Sequence, residues 1–215
     1  MHLKIQKAPK HWPIQRKSTR FIVKSGFSLH RGLPILVVLR DMLKVAQNRK
    51  EVKHALNAKN ILLNDKPIRD EKHNVLLFDV VKIVPSKKSF RVEVSENKKF
   101  ALKEVSEKDS DKKIAKVVNK KTLKGKKTQV NLSDGNNFLS DVKCKTNDSA
   151  VIDFKTRKIE KILPLKEKAE AVIFEGKHFG KKGSIEKIDD KNKIVEINTG
   201  KEKINVLIKQ IMVIE

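Results

Sequence analysis

The longest apolar run in the chain is LPILVVL, seven residues from Leu33 to Leu39, and Arg40 and Asp41 follow it at once. A membrane-spanning helix needs about 20 such residues, so neither a membrane span nor a signal peptide is expected. The same brevity limits what the chain can bury. Hydrophobic residues make up 38% of 215 positions, enough for several small cores but little for one large one. A set of small modules fits best.

Charge narrows the partners. Lys and Arg number 50 against 26 Asp and Glu, a formal net charge of +24, and such an excess attracts polyanions, above all nucleic acid. No acid precedes Asp41, whereas Lys4, Lys7, Lys10, Arg16, Lys17, Arg20, Lys24, Arg31 and Arg40 do. Most of the charge is Lys, which touches phosphates as a point charge rather than reading base edges. The single Cys144 excludes an intramolecular disulfide and a multi-cysteine zinc site and points to a reducing compartment, the cytosol.

Residues 1–32 contain Pro9, Pro13 and Gly26 and show no sustained period, so they read as a basic arm, poorly ordered without a partner. Trp12 within it either plugs the protein's own core or stacks on a base. After Pro34, the residues Ile35, Leu36, Val38, Leu39, Met42 and Leu43 recur at helical spacing, which predicts an amphipathic helix. Asn48 and Glu51 form a capping pair for a second helix with Val52, Ala55 and Leu56 inward and Arg49, Lys50, Lys53 and His54 outward. The segment NILLNDKPI is a hairpin about Asn64-Asp65, and an apolar stretch ending at Val84 completes a compact module.

Strand signals dominate the rest. FRVEV and FALKEV flank a turn at Glu96-Asn97-Lys98, a tight turn surrounds Ser133-Asp134-Gly135-Asn136, and AVIDF pairs by pattern with IEKIL. The lysine band Lys112–Lys127 holds only isolated apolar residues and reads either as a solvated loop or as phosphate contact. The last fifty or so residues are short strands with tight turns, the pattern of a small barrel.

Three of the eight glycines, Gly176, Gly180 and Gly183, fall in EGKHFGKKGSIEKI. A phosphate loop of the Walker type needs Gly, four residues, then Gly-Lys-Ser/Thr before a helix. Here Gly183 precedes Ser184 and a strand-like segment, which excludes nucleotide hydrolysis at this site. The spacing suits a turn between barrel strands, either purely structural or with Lys177, His178, Lys181 and Lys182 projecting toward RNA.

The stretch Phe174 to Ile185 resembles the KOW motif of SH3-like barrels, and NRKEVKHALNAKNILLNDKPI is similar to the alpha-L RNA-binding motif. Together with HLKIQKAPKHWPIQRK, QVNLSDGNN, DSAVIDFKTRKI and the terminal IMVIE, in that order, the chain resembles the family of small-subunit ribosomal protein four of the archaeal and eukaryotic (e) type. It departs from that pattern at Asp65, Asn147 and Arg157, where glycine is usual, and at Ser133, where His is common. The chain stops just past the last strand, without the basic extension of eukaryotic members, so an archaeal source is expected.

The resemblance implies an α+β, multi-module fold: an arm at 1–32, an alpha-L module at 33–85, a central β-rich domain at 86–165 and a KOW barrel at 166–215. It also implies a non-enzymatic structural constituent of the small ribosomal subunit, cytoplasmic, with small-subunit rRNA and neighbouring ribosomal proteins as partners. No catalytic residue, cofactor, metal or small-molecule substrate is expected. The candidate RNA contacts are Lys4, Lys7, Lys10, His11, Arg16, Lys17 and Arg20 on the arm. Arg40, Lys44, Arg49, Lys50, Lys53, His54, Lys59 and Lys66 form the alpha-L surface, and Lys177, His178, Lys181 and Lys182 stand beside the turn glycines. Two rivals are an RNA-modifying enzyme, for which no clustered carboxylates or Ser/His/Asp grouping appears, and a KOW-containing transcription elongation or ribosome-associated factor.

Overall fold

The computed structural model describes residues 3–17, 19–95, 97–107, 109–124, 127–140, 142–189, 191–200 and 202–214. Glu96 of one expected turn, and Gly125 and Lys126 of the lysine band, lie outside them. The chain forms two compact units, Met1–Asp111 and Lys112–Glu215. Both are mostly β, with the α-helical segments of the described residues in the first, so the expected α+β class holds only coarsely.

The first unit contains β1 (Leu3–Lys4), β2 (Phe21–Ile22), β3 (Gly32–Pro34), β4 (Ile61–Leu63), β5 (Lys66–Pro67), β6 (Asn74–Leu76), β7 (Val80–Ile83), β8 (Lys88–Val94) and β9 (Phe100–Glu104). The arm is ordered. β1 pairs antiparallel with β2, and between them Trp12 is buried to 1% exposure, its indole Nε1 donating to the Gly32 carbonyl at 3.1 Å. Leu3, Ile5 and Ala8 are buried in the same segment. An indole is largely apolar with one donor to satisfy, so a core site beside a carbonyl suits it, and of its two possible roles Trp12 takes the plug.

Leu33 to Leu39 is buried throughout. After β3 pairs with β6, the chain turns into α1 (Ile35–Val37), with Pro34 at the N-cap, and widens at once into a π-type turn over Val38–Met42, Leu43 N bonding to Val38 O at 2.9 Å. The expected amphipathic helix is thus short and irregular. With apolar side chains on every side, the run is covered on every side and has no polar face before Arg40.

The capping pair at Asn48 does start α2 (Arg49–Asn57), with Val52 and Leu56 buried. Asn64 and Asp65 both take left-handed φ, 50° and 60°, the conformation that a two-residue hairpin turn requires, and β4 pairs with β5 around them. One five-stranded sheet runs β5-β4-β7-β8-β9. The FRVEV and FALKE strands, expected in the central domain, therefore extend the sheet of residues 33–85, with Val81 opposite Phe90. The unit closes near residue 111 rather than 85 because β7 would otherwise present an unpaired edge.

The second unit contains β10 (Lys112–Thr122), β11 (Thr128–Leu132), β12 (Asn137–Leu139), β13 (Ser149–Asp153) and β14 (Lys158–Leu163), ordered β12-β11-β10-β13-β14. A second antiparallel sheet, β18-β17-β16-β15-β19, is built from β15 (Glu170–Ile173), β16 (Lys182–Asp189), β17 (Ile194–Asn198), β18 (Lys203–Leu207) and β19 (Ile211–Val213). Val151 and Leu163 of the first sheet share a core with Ile173, Ile185, Ile197 and Ile211 of the second. The segments expected as separate domains at 86–165 and 166–215 are thus joined by common packing from Lys112 onward.

The lysine band is the largest departure from expectation. Instead of a loop, it supplies β10, whose first half pairs with β13 and whose second half pairs with β11. Ala115 and Val117 are buried in one core while Ile114 packs on the other, so two faces of the strand are covered.

Candidate nucleic-acid interface

α2 presents the densest of the expected contact residues. Asn48 Oδ1 accepts from Glu51 N at 3.0 Å, and Glu51 returns bonds to Asn48 Nδ2 at 2.6 Å and Gln47 N at 2.7 Å. This cap fixes the start of α2, along which Arg49, Lys50, Lys53 and His54 are all exposed. They are not equivalent. Arg49 Nε bonds Glu71 Oε1 at 2.8 Å, its terminal nitrogen reaches the same oxygen, and Lys53 Nζ stands 3.9 Å away. The Glu71 side chain is only 3% exposed. Arg49 and Lys53 therefore compensate a buried carboxylate, which sequence alone gave no sign of, while Lys50 and His54 are held by no such partner among the described residues.

Around α2 the expected set also divides. Arg40 makes a two-point pair with its neighbour Asp41 at 3.0 and 2.9 Å. Lys44, Lys59 and Lys66 are exposed, the first two with left-handed φ of 54° and 57°. Lys82, which the sequence reading passed over, bridges Asp65 and Asp111, each at 2.7 Å. Its burial disfavours the charged form, but the hydrogen bonds it donates to Asp111 and Asp65, together with their charges, outweigh this and raise its pKa.

On the arm, Lys4, Lys7, Lys10, Lys17 and Arg20 are exposed. Arg16 and His11 serve the arm's own packing instead. Arg16 donates to the carbonyls of Ala8 and Pro9 at 3.0 and 2.5 Å. His11 packs edge-on against Phe100 with centroids 5.1 Å apart, and burial, with His30 and Arg16 adding to it, pushes its pKa down to about 4. At neutral pH it offers a phosphate no charge.

The glycine-rich loop joins β15 to β16 in the second unit. Gly176 and Gly180 take φ of 94° and 87°, and Gly180 N and Ile173 N close the loop on Ile173 O and Lys181 O at 2.8 and 3.0 Å. Gly183 lies in β16 against the Asn198 backbone, where a Cβ would collide with the carbonyl. Lys177 and Lys182 are exposed and His178 half-buried, while Lys181 pairs with Glu202.

Two lysines of β10 are structural. Lys113 meets Asp134 in a buried pair at 2.9 Å. Lys116 donates to the carbonyls of Ile208 and, at 2.8 Å, Ile211, with the Phe174 ring 6.0 Å from its nitrogen. The signal available in the sequence was the interleaving of Ile114, Ala115, Val117 and Val118 with these lysines. Among the described residues, no group of three or more His, Cys, Asp or Glu is placed to hold a metal ion, and no helix is long and apolar enough to cross a membrane.

Comparison with known proteins gives this basic surface a context. Residues 86–159 match the model of ribosomal family S4e, and residues 1–26 match the RS4NT domain. The small ribosomal subunit protein eS4 of Methanocella arvoryzae is 37% identical over 190 residues, covering 87% of this chain and 80% of that protein. That of Haloarcula marismortui is 32% identical over 213 residues, covering 97% and 88%. The chain belongs to the ribosomal S4e family. The crystal structure of the 30S ribosomal protein S4e from Thermoplasma acidophilum superposes with a TM-score of 0.73 at 24% identity, covering 86% of this chain and 95% of that one, which shows a shared S4e fold. S4e proteins are ribosomal structural proteins rather than enzymes.

Proposed function

We propose that this S4e-family chain is a structural constituent of the small ribosomal subunit that binds small-subunit rRNA and holds its folded shape in the cytoplasmic ribosome, beside neighbouring ribosomal proteins. The observation that carries the reading is the relationship, running over most of the chain, to proteins named as small ribosomal subunit protein eS4. The physical ground is the +24 charge: lysines neutralise crowded phosphates and release counterions, while rigid modules select RNA shape. Within it, α2 and the β4–β5 hairpin act as an alpha-L-type module, with Lys50, His54, Lys59 and Lys66 as its principal contacts. The β15–β19 sheet acts as a KOW-type barrel whose Lys177 and Lys182 extend the contact. The family relationship favours this reading over an elongation factor.

The test is incorporation. Small subunits washed at high salt on a sucrose gradient retain a structural protein at near one copy each, whereas loosely held lysine-rich proteins wash off because their binding falls steeply with salt. Charge reversal at Lys50, Lys59 and Lys66 together should abolish retention and leave the purified protein folded. Normal retention of that variant would remove these residues from the interface. Arg49 and Lys53 are unsuitable for this purpose, because reversing them places like charge against buried Glu71.

A further inference from the structure

Seven of the nine phenylalanines are buried or half-buried; the two exposed ones, Phe21 at 46% and Phe27 at 59%, both lie in the acid-free stretch before Asp41. Phe27 is the more exposed, and its backbone is held in place. Gly26 N donates to the Lys72 carbonyl at 2.9 Å, Asn74 Nδ2 donates to the Ser28 carbonyl at 3.0 Å, and Phe27 N donates to Ser25 Oγ at 3.3 Å. The ring thus stands on a fastened loop. Basic residues border it in sequence and on the segment that fastens it: Lys24, His30 and Arg31 on one, Lys72 and His73 on the other. Of the acids on that segment, Glu71 is buried under Arg49, and Asp70 caps Lys72 N at 2.9 Å.

An aromatic surface fixed in advance, on a stretch whose sequence neighbours are basic, fits a nucleobase better than a protein neighbour. A nucleotide supplies both a flat ring for the exposed phenyl face and a phosphate for the excess positive charge of this acid-free stretch, and an apolar protein surface supplies no such charge. The same arm already shows one such stack: the Arg20 guanidinium lies 5.4 Å from the centroid of the Phe21 ring. We propose that Phe27 is a stacking platform for an unpaired base of the bound RNA, with Lys24, Arg31 and Lys72 engaging the phosphates around it. This rests on the rRNA-binding reading above and adds to it a single-stranded element of the RNA.

The experiment compares binding of the full chain to a dodecaadenylate and to an abasic ribose-phosphate dodecamer of equal charge, by fluorescence anisotropy. Phe27→Ala, Phe27→Leu and Phe27→Trp are set beside the wild type. Wild type should prefer the base-bearing strand; Phe27→Ala and Phe27→Leu should lose about tenfold or more on that strand and nothing on the abasic one. Phe27→Trp should keep the preference, and its exposed indole should be quenched by the base-bearing strand alone, with buried Trp12 as a constant background. Retained affinity in Phe27→Ala, or an indole that no base quenches, overturns the proposal. Full rescue by Phe27→Leu also overturns it, because a leucine satisfies an apolar contact but offers no π face. Equal wild-type binding to the two strands defeats stacking while leaving the electrostatic reading intact. Failure of wild type to bind the abasic strand defeats both.

Discussion

Lys113 and Asp134 face each other at 2.9 Å with side chains only 3% and 4% exposed. Burial by itself would raise the carboxylate's pKa, but the Lys113 charge and hydrogen bonds from Lys113 and Asn136 outweigh it and hold Asp134 below the usual range. Removing one partner strands the other charge, so Lys113→Ala should cost about 3–5 kcal/mol in urea unfolding. The joint replacement Lys113→Met with Asp134→Leu should be near neutral. Because the folded-state pKa is depressed, the stabilisation is present above the unfolded value and is lost as pH falls through the folded one. Stability measured in acid should therefore drop more for the wild type than for the double variant.

Lys116 titrates in the opposite sense. Burial pushes its pKa down to about 8, with nearby Glu175 opposing the shift. Below pH 8 the lysine is protonated in both folded and unfolded chains, and the full cost of the buried charge is present. Between about 8 and the unfolded value of about 10.4 the folded chain releases its proton first, so stability rises with pH, on the order of 3 kcal/mol across the window. Urea midpoints of wild type and Lys116→Met, compared from pH 7 to 10.5, should diverge in favour of the wild type. A constant difference would show that the ammonium group is not penalised in its site.

Arg157 occupies left-handed backbone at φ 52°, and Asn147 at φ 76°. A side chain larger than that of Asn is strained there by about 1 kcal/mol or more. Arg157→Gly should raise the thermal midpoint, and Asn147→Gly should raise it less, since Asn tolerates this region. Gly135→Ala, at φ 87° with no atom near its added methyl, should lower it through the backbone alone.

Trp12 reports on the arm without any added label, because it is the single tryptophan. Its burial and its bond to Gly32 predict blue-shifted emission shielded from acrylamide in RNA-free protein. Red-shifted, readily quenched emission would mean that the arm orders only on its partner.

Local chemistry made some of the structure legible. The Asn48 cap, the Asn64-Asp65 turn and the alternating strands were readable because each is decided within a few residues. What escaped the sequence depends on distant partners: Lys116 finds its carbonyls about ninety residues downstream, and Arg49 finds Glu71 in a loop 22 residues on. A lysine beside lysines gives no local sign of which one will be buried. The division of the chain near residue 111 was hidden for the same reason, since it turns on whether β8 pairs with β7. On the candidate interface, composition pointed to basic segments but could not separate Lys50 from Arg49, whose partner Glu71 lies 22 residues away.

β10 has a consequence for the order in which the chain is made. Its first half waits for β13, with Ile114 opposite Val151, and the second sheet closes only when Val213 comes to lie beside Ala171. During synthesis from the N-terminus, the lysine strand therefore emerges with both edges open and its internal acceptors not yet in existence. Until β11 and β13 pair with it, it is a cationic ribbon with open edges, the kind of nascent segment most exposed to misassociation, and its buried Lys116 gains the Ile208 and Ile211 carbonyls only after β19 has been made.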